Sequence, residues 1–162
     1  CFESRLWAMP IYFAVSHLAQ LSALEVHKLY KLRVDIFVHE QKTPYAEIDD
    51  ADALDTTFHV LNWDADKNLI ATARVYPCVI EGKDMVQIGR VCVAENHRHQ
   101  GIGEELMRQT MRLADEQFPG LDVFLEAQTK QRDFYEGFGF EAVGEEFTIE
   151  GVPHLPMLKK SQ

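Results

Sequence analysis

The run Val91-Cys92-Val93-Ala94-Glu95-Asn96-His97-Arg98-His99-Gln100-Gly101-Ile102-Gly103 holds the residue types in this chain best spaced for chemistry. A β-branched strand pattern leads into a polar turn, then two glycines spaced by one residue, then a long amphipathic stretch. Glycine lets backbone amides approach an anion without a Cβ in the way. The first turn of a helix carries unpaired N–H groups and a partial positive charge. Together they form a cradle suited to a pyrophosphate, and Arg98 adds a fixed positive charge beside it. A Walker loop is excluded, because no Gly-Lys-Ser/Thr follows. A dinucleotide fingerprint needs a third glycine where Leu106 stands. A glycine-bearing helix start with no ligand explains a bare Gly-x-Gly equally well.

Other polar clusters are less specific. Glu47, Asp49, Asp50 and Asp52 form an acidic stretch without the glycine and late glutamate of a calcium loop, and a solvated loop is the plainer reading. His97 and His99 read as exposed turn residues, since no cysteine or carboxylate partner has metal-ligand spacing. The 3 cysteines, Cys1, Cys78 and Cys92, are too few and scattered for a disulfide framework or a zinc site, so no metal is expected and a reducing, cytoplasmic setting is. Cys92 sits inside an apolar strand pattern and is not expected to be a nucleophile. A net charge of -10 over 162 residues disfavours nucleic acid and is compatible with a cationic or basic acceptor. No apolar run approaches the ~20 residues of a membrane span. Met9 reads as the natural start and residues 1–8 as an added or upstream remnant; residues 9–160 read as one domain.

The elements that must position these residues follow from patterning. Residues 11–15 read as an opening strand. Ser22 and Glu25 have capping-box spacing, and Val26, Leu29, Tyr30, Arg33 and Phe37 share a face, so a helix is predicted to about Val38. Residues 41–57, with Pro44 and many acids, read as a loop. Strands are predicted over 58–63, 69–76 and 85–93 as an antiparallel meander. A long helix over 101–118 is stopped by Pro119 and Gly120. A strand over 121–127, a short helix over 130–136 ended by Gly137, and strands over 140–149 and 152–158 turned at Glu150-Gly151 complete the chain. Antiparallel strands followed by a strand-helix-strand crossover imply an α/β (α+β) fold with a mixed, mostly antiparallel twisted sheet flanked by helices.

Two segments together carry a resemblance. Arg98-His99-Gln100-Gly101-Ile102-Gly103 matches the Arg/Gln-x-x-Gly-x-Gly/Ala signature of the GNAT superfamily of N-acetyltransferases. Phe134-Tyr135-Glu136-Gly137-Phe138-Gly139-Phe140 resembles its second signature, an aromatic pair followed by Gly-Phe. One helix, one strand and one short helix separate them, as in that superfamily. The segments Leu32-Arg33-Val34-Asp35-Ile36-Phe37-Val38-His39-Glu40-Gln41 with Pro44-Tyr45, Ile88-Gly89-Arg90-Val91 and Gly151-Val152-Pro153-His154 are similar to the ElaA-like subgroup.

The resemblance implies an acetyl-coenzyme A-dependent enzyme that moves an acetyl group directly to an amine, small-molecule or peptide. Strand 88–93 would splay from strand 121–127, with the pantetheine arm between them. Val91, Cys92 and Val93 would line it, Val91 and Val93 through backbone groups, and the amides of His99, Gln100, Gly101, Ile102 and Gly103 would hold the pyrophosphate. Many relatives place an Asn where this chain has Gln128. Tyr135 stands where the family places the tyrosine that protonates the leaving thiolate. Its alternative is a core aromatic beside Phe134 and Phe138. For the base, Glu126 on the strand beside the splay is a candidate, and so are Glu40, Glu47 and His154 from flanking segments. Glu126 reads equally well as a solvated strand acid paired with Arg90, and His154, beside Pro153, more readily as a turn histidine with satisfied hydrogen bonds. Arg33 and Glu40 are expected to pair and shape the acceptor pocket, with Glu47 and Arg90 beside them; a purely structural pair is equally good. Homodimers are common in that superfamily, so a homodimer is one expected assembly. The alternative function is a catalytically idle acyl-coenzyme A sensor or interaction module; a nucleotide-binding domain is a third.

Overall fold

The computed structural model describes residues 10–43 and 46–161. The Pro44-Tyr45 pair and the segment 1–9, with the expected start at Met9, lie outside the described residues. The described residues begin with strand β1 (Tyr12–Ser16) and helix α1 (Ala23–Arg33). The Ser22 hydroxyl accepts from Glu25 N at 3.2 Å and the Glu25 carboxylate from Ser22 N at 2.8 Å, so the capping box closes in both directions. Helical structure continues past the expected end at Val38. From Val34 to Glu40 the turns widen to π-helical, and Gln41 N donates to the Ile36 carbonyl at 2.8 Å.

Strands β2 (Phe58–Trp63), β3 (Leu69–Ile80) and β4 (Lys83–Val93) form the meander. Pro77 does not end β3 as expected. The hairpin runs on to a tight turn at Glu81-Gly82, whose φ angles of 50° and 77° suit the twist of paired strands. Then come α2 (Ile102–Gln117), β5 (Asp122–Gln128) and the short α3 (Arg132–Glu136). The expected strand over 140–149 is two pieces, β6 (Glu141–Ala142) and β7 (Phe147–Ile149), and both pair with β8 (Val152–Lys159). The sheet order is β1-β2-β3-β4-β5-β8-β6, antiparallel except between β4 and β5.

Strand alternation sorts the two faces. Val60, Ile70, Val86, Ile88, Leu125, Leu155 and Met157 pack against Leu106, Met107, Met111 and Ala114 of α2. Leu61 and Leu69 face the other way and meet Leu29 of α1. The phase changes once in β4. Between the pairs Thr72–Cys92 and Arg74–Gly89, one residue of β3 (Ala73) opposes two of β4 (Arg90 and Val91), and Arg90 sits in the bulge at φ 51°. After the bulge, Val91 and Val93 face the α2 side and Cys92 packs with Ile36 and Phe37 on the α1 side.

Candidate active site

β4 and β5 pair only at Met85 with Asp122, Val86 with Val123 and Gln87 with Phe124. Beyond that point the strands part. A cavity of about 1220 Å³ opens, lined by residues 87–93 of β4 and 125–128 of β5. The start of α2 (Gly101, Gly103), α3 (Phe134, Tyr135), the end of the first helix (Glu40, Gln41) and the β7–β8 hairpin (Ile149, Val152, His154) complete its walls.

At one end lies the turn before α2. Gly101 is the helix cap at φ 79° and ψ 5°, and His99 is also left-handed at φ 62°. The first helical bond runs from Glu105 N to the Gly101 carbonyl at 3.2 Å. Among the described residues the amides of 99–104 donate to no protein acceptor. Backbone donors converge here at the positive end of a helix of 16 residues. Neither the Gln100 nor the Ile102 side chain lines the cavity: Gln100 is exposed and Ile102 packs into the core. His97, expected to be exposed, is half-buried, and its enclosed Nδ1 has no partner.

Arg98 is not a free charge awaiting an anion. Its Nε donates to the Val93 carbonyl at 3.1 Å, and both Nη atoms grip the Glu40 carboxylate, one at 2.8 Å. The guanidinium hydrogen bond holds the Glu40 carboxyl below the usual carboxylate range. The expected Arg33–Glu40 pair therefore does not form. Arg33, 1 % exposed, is turned inward instead. It donates to Asp52 at 2.6 and 3.1 Å, to Glu47 Oε2 at 2.8 Å and to the Glu47 carbonyl at 2.7 Å. Arg74 grips Asp49 at 2.7 and 3.0 Å and reaches Asp52 at 3.0 Å.

The acidic stretch is thus not a solvated loop. Asp52 and Glu47 are buried, because three arginines from α1, β3 and β4 neutralise them. Burial works to raise the Asp52 carboxyl, but the Arg33 and Arg74 contacts outweigh it and hold the group low. Glu47 goes the other way: burial wins over Arg33 and Arg90, and its Oε1 has no partner. Arg33 and Glu47 stand behind the cavity wall rather than in it. Arg90 does line the cavity and donates to Glu47, Nε to Oε2 at 3.0 Å, and to the Ala46 carbonyl at 3.2 Å; among the described residues the expected Glu126–Arg90 pair is not made.

The titratable groups on the cleft divide between the two faces of the sheet. Tyr135 packs with Phe134 and Phe138 against the α2-side core, and burial pushes its hydroxyl up to about 12. Cys92 is buried, its thiol likewise raised to about 12 by burial, which suits an inert thiol. Glu126 lies between the core residues Leu125 and Ala127 and so points to the opposite face, where it is exposed. His154, 6 % exposed, pairs across the sheet with Gln128 and precedes the core residue Leu155, which places it on that same face. Gln128 Nε2 donates to Gln41 Oε1 at 2.6 Å. Glu40 and Gln41 thus straddle the splay, one tied to the β4–α2 turn and the other to the end of β5.

Gln41 and Arg74 were missed as residues that build this site. Arg74 had a signal, a charge between Ala73 and Val75 in an apolar strand, where burial demands a partner. Gln41 had none, since its partner is 87 positions away.

Residues 26–161 match the Acetyltransferase (GNAT) domain family. The chain is 35 % identical over 144 residues to Protein ElaA of Escherichia coli, covering 89 % of this chain and 93 % of that one. The crystal structure of ElaA superposes with a TM-score of 0.85 over 93 % of this chain and 100 % of the other. An acyl-CoA N-acyltransferase from Pseudomonas aeruginosa superposes equally well, TM-score 0.85 at 33 % identity, over 93 % and 99 % of the two chains. A UPF0039 protein of Schizosaccharomyces pombe is 32 % identical over 146 residues, 90 % of this chain and 94 % of that one.

Proposed function

This chain belongs to the GNAT acetyltransferase family, and from that premise we propose that it transfers an acetyl group from acetyl-coenzyme A directly to a primary amine. One observation carries the reading. Two parallel strands part after Gln87 and Phe124, and the gap ends on six amides, residues 99–104, without protein acceptors. Unpaired strand edges suit a pantetheine arm with amides of its own, and the turn suits a diphosphate. Arg98 supports the site differently from the expectation. It ties the turn to Val93 and Glu40, and the backbone, not its guanidinium, meets the phosphates.

Aminolysis of a thioester needs a neutral amine, a stabilised oxyanion and a protonated leaving thiolate. A free alkylammonium loses its proton near pH ~10, so a base on the cleft must assist. Backbone N–H groups of Val91 or Val93 supply the oxyanion donor. Tyr135, held neutral by burial, delivers a proton to the departing sulfur. Arg90, with Glu47 behind it, borders the acceptor's side. The acceptor is an amine on a small molecule or a peptide. Cys78 and Cys92 are free thiols, in keeping with a reducing, cytoplasmic setting.

The test is a coenzyme A-release assay with mass detection of product across polyamines, aminoglycosides, amino acids and peptides, alongside calorimetry with coenzyme A. Heat of binding plus an acetylated amine is the expected result. Binding with no acetylated product across the panel makes the chain an acyl-coenzyme A sensor instead. A protein that binds neither coenzyme A nor its acetyl ester ends the proposal.

A further inference from the structure

We propose that His154 is the general base, taking the amine's proton at Nε2; the inference rests on the acetyltransferase reading. The tautomer is set by the fold. His154 Nδ1 lies 2.8 Å from the Val152 carbonyl of its own strand. A carbonyl oxygen only accepts, so Nδ1 carries the ring hydrogen and Nε2 keeps its lone pair. Among the described residues no protein group hydrogen-bonds to that Nε2. The ring is also held in place: it is 6 % exposed and stacks on Phe147, with centroids 5.9 Å apart and planes at 29°. A fixed ring on the cavity wall with a free lone pair is what a base requires.

Its position complements Tyr135. Alternation along β5 and β8 puts His154 on the face of the sheet opposite the α2-side core against which Tyr135 packs. One group can then serve the amine nitrogen while the other serves the sulfur, without exchanging protons with each other. Glu126 shares His154's face, but it is exposed, and among the described residues no hydrogen bond or ion pair orients it.

The protons balance. His154 Nε2 accepts one from the substrate ammonium and becomes imidazolium. The freed nitrogen pair forms the C–N bond as the C–S bond breaks, its pair going to sulfur. The Tyr135 hydroxyl gives its proton to that sulfur, and the nitrogen's surplus proton returns through solvent to the Tyr135 oxygen. The imidazolium then releases its proton to water, one net proton per turnover.

The first test needs no turnover. Long-range ¹H–¹⁵N spectra of histidine-labelled protein should show His154 as the neutral Nδ1-H tautomer at mildly alkaline pH; an Nε2-H tautomer overturns the proposal. His154→Ala should lower kcat/KM about 100-fold or more while coenzyme A affinity changes no more than about twofold, and added imidazole should restore turnover saturably. His154→Gln keeps the volume and should show the same loss, which answers a misfolded alanine variant; if both variants unfold, the tautomer spectrum decides. Glu126→Gln, on the same cavity wall, should lose far less than either His154 variant. Full turnover in both folded His154 variants, or a collapse confined to Glu126→Gln, overturns the assignment. A wild type that acetylates amines while His154→Ala is unimpaired fails the base alone; a wild type that acetylates nothing fails the enzyme reading and the base with it.

Discussion

Tyr135 shows how a residue's environment sets its chemical use. Its hydroxyl is pushed up to about 12 by burial, with Cys92 adding to the effect. The group therefore stays protonated across the neutral range, as the proton donor proposed above must be. Replacing it with phenylalanine removes the donor and keeps the ring that packs on Phe134, with centroids 5.1 Å apart, and on Phe140. We expect Tyr135→Phe to slow acetyl transfer about 100-fold or more, as loss of a general acid does. Calorimetry should find coenzyme A affinity nearly unchanged, because the turn proposed to hold the pyrophosphate lies elsewhere. A parallel loss of affinity would make Tyr135 a packing residue instead. This tyrosine was legible because it sits in a short run of aromatics and glycines with a recognisable order. Glu40 was legible only as a charge. Its partner Arg98 lies 58 positions away, and the nearer Arg33 is claimed by Asp52 and Glu47, which bury with it.

Between elements, the link between the end of α1, the 46–54 segment, β3 and β4 is electrostatic rather than apolar. Breaking one member of a buried pair strands the other charge, at a cost of about 3–5 kcal/mol. We expect Asp52→Asn to lose stability on that scale in urea denaturation, because Arg33 and Arg74 both lose a charged partner while remaining buried. The pH dependence has a definite sign. The folded state holds Asp52 and Asp49 below the ordinary carboxylate range: burial opposes ionisation in each, and it is overcome by Arg33 and Arg74 at Asp52 and by Arg74 and Arg90 at Asp49. Their contribution is fully present above the unfolded-state value near ~4 and drains away as pH falls through the depressed folded values. Thermal melts should show a steeper acid-side loss in the parent than in Asp52→Asn. Equal slopes would mean that these aspartates do not couple folding to protons.

The sequence pattern located most elements because their apolar periodicity is local: the α1 capping box, the long α2 face, the hairpin turn at Glu150-Gly151. It could not show the phase change in β4. Val86 and Ile88 face the core, then Val91 and Val93 do, and only the extra residue at Arg90 reconciles the two. Apolar types stand on both sides of that bulge, so no break in pattern marks it. The widened turns from Val34 to Glu40 were equally hidden, since a helix pattern looks alike whether its bonds span four or five residues.

Across the whole molecule, the site is a deliberate failure of sheet pairing. A parallel ladder that starts at Met85–Asp122 and stops after Gln87–Phe124 leaves strand edges whose polar groups are satisfied only on one side. The sheet tolerates this because α1 and α2 hold its two faces and the Glu40–Arg98 and Gln41–Gln128 contacts bridge the mouth of the gap. A ligand that completes the pairing must then do two measurable things. It binds only the folded chain, so at 100 times its Kd it adds about 2.7 kcal/mol, a rise in Tm of roughly 5–11 °C for a chain of this size. It also supplies acceptors and donors at named places. Hydrogen exchange should slow in residues 88–104 and 125–128 on adding coenzyme A, while β1, at the far edge of the sheet, exchanges as before. A rise in Tm with protection spread evenly over the molecule would show tightening without seating in the cleft. Protection confined to 99–104 would show phosphates held on the turn and the pantetheine arm free.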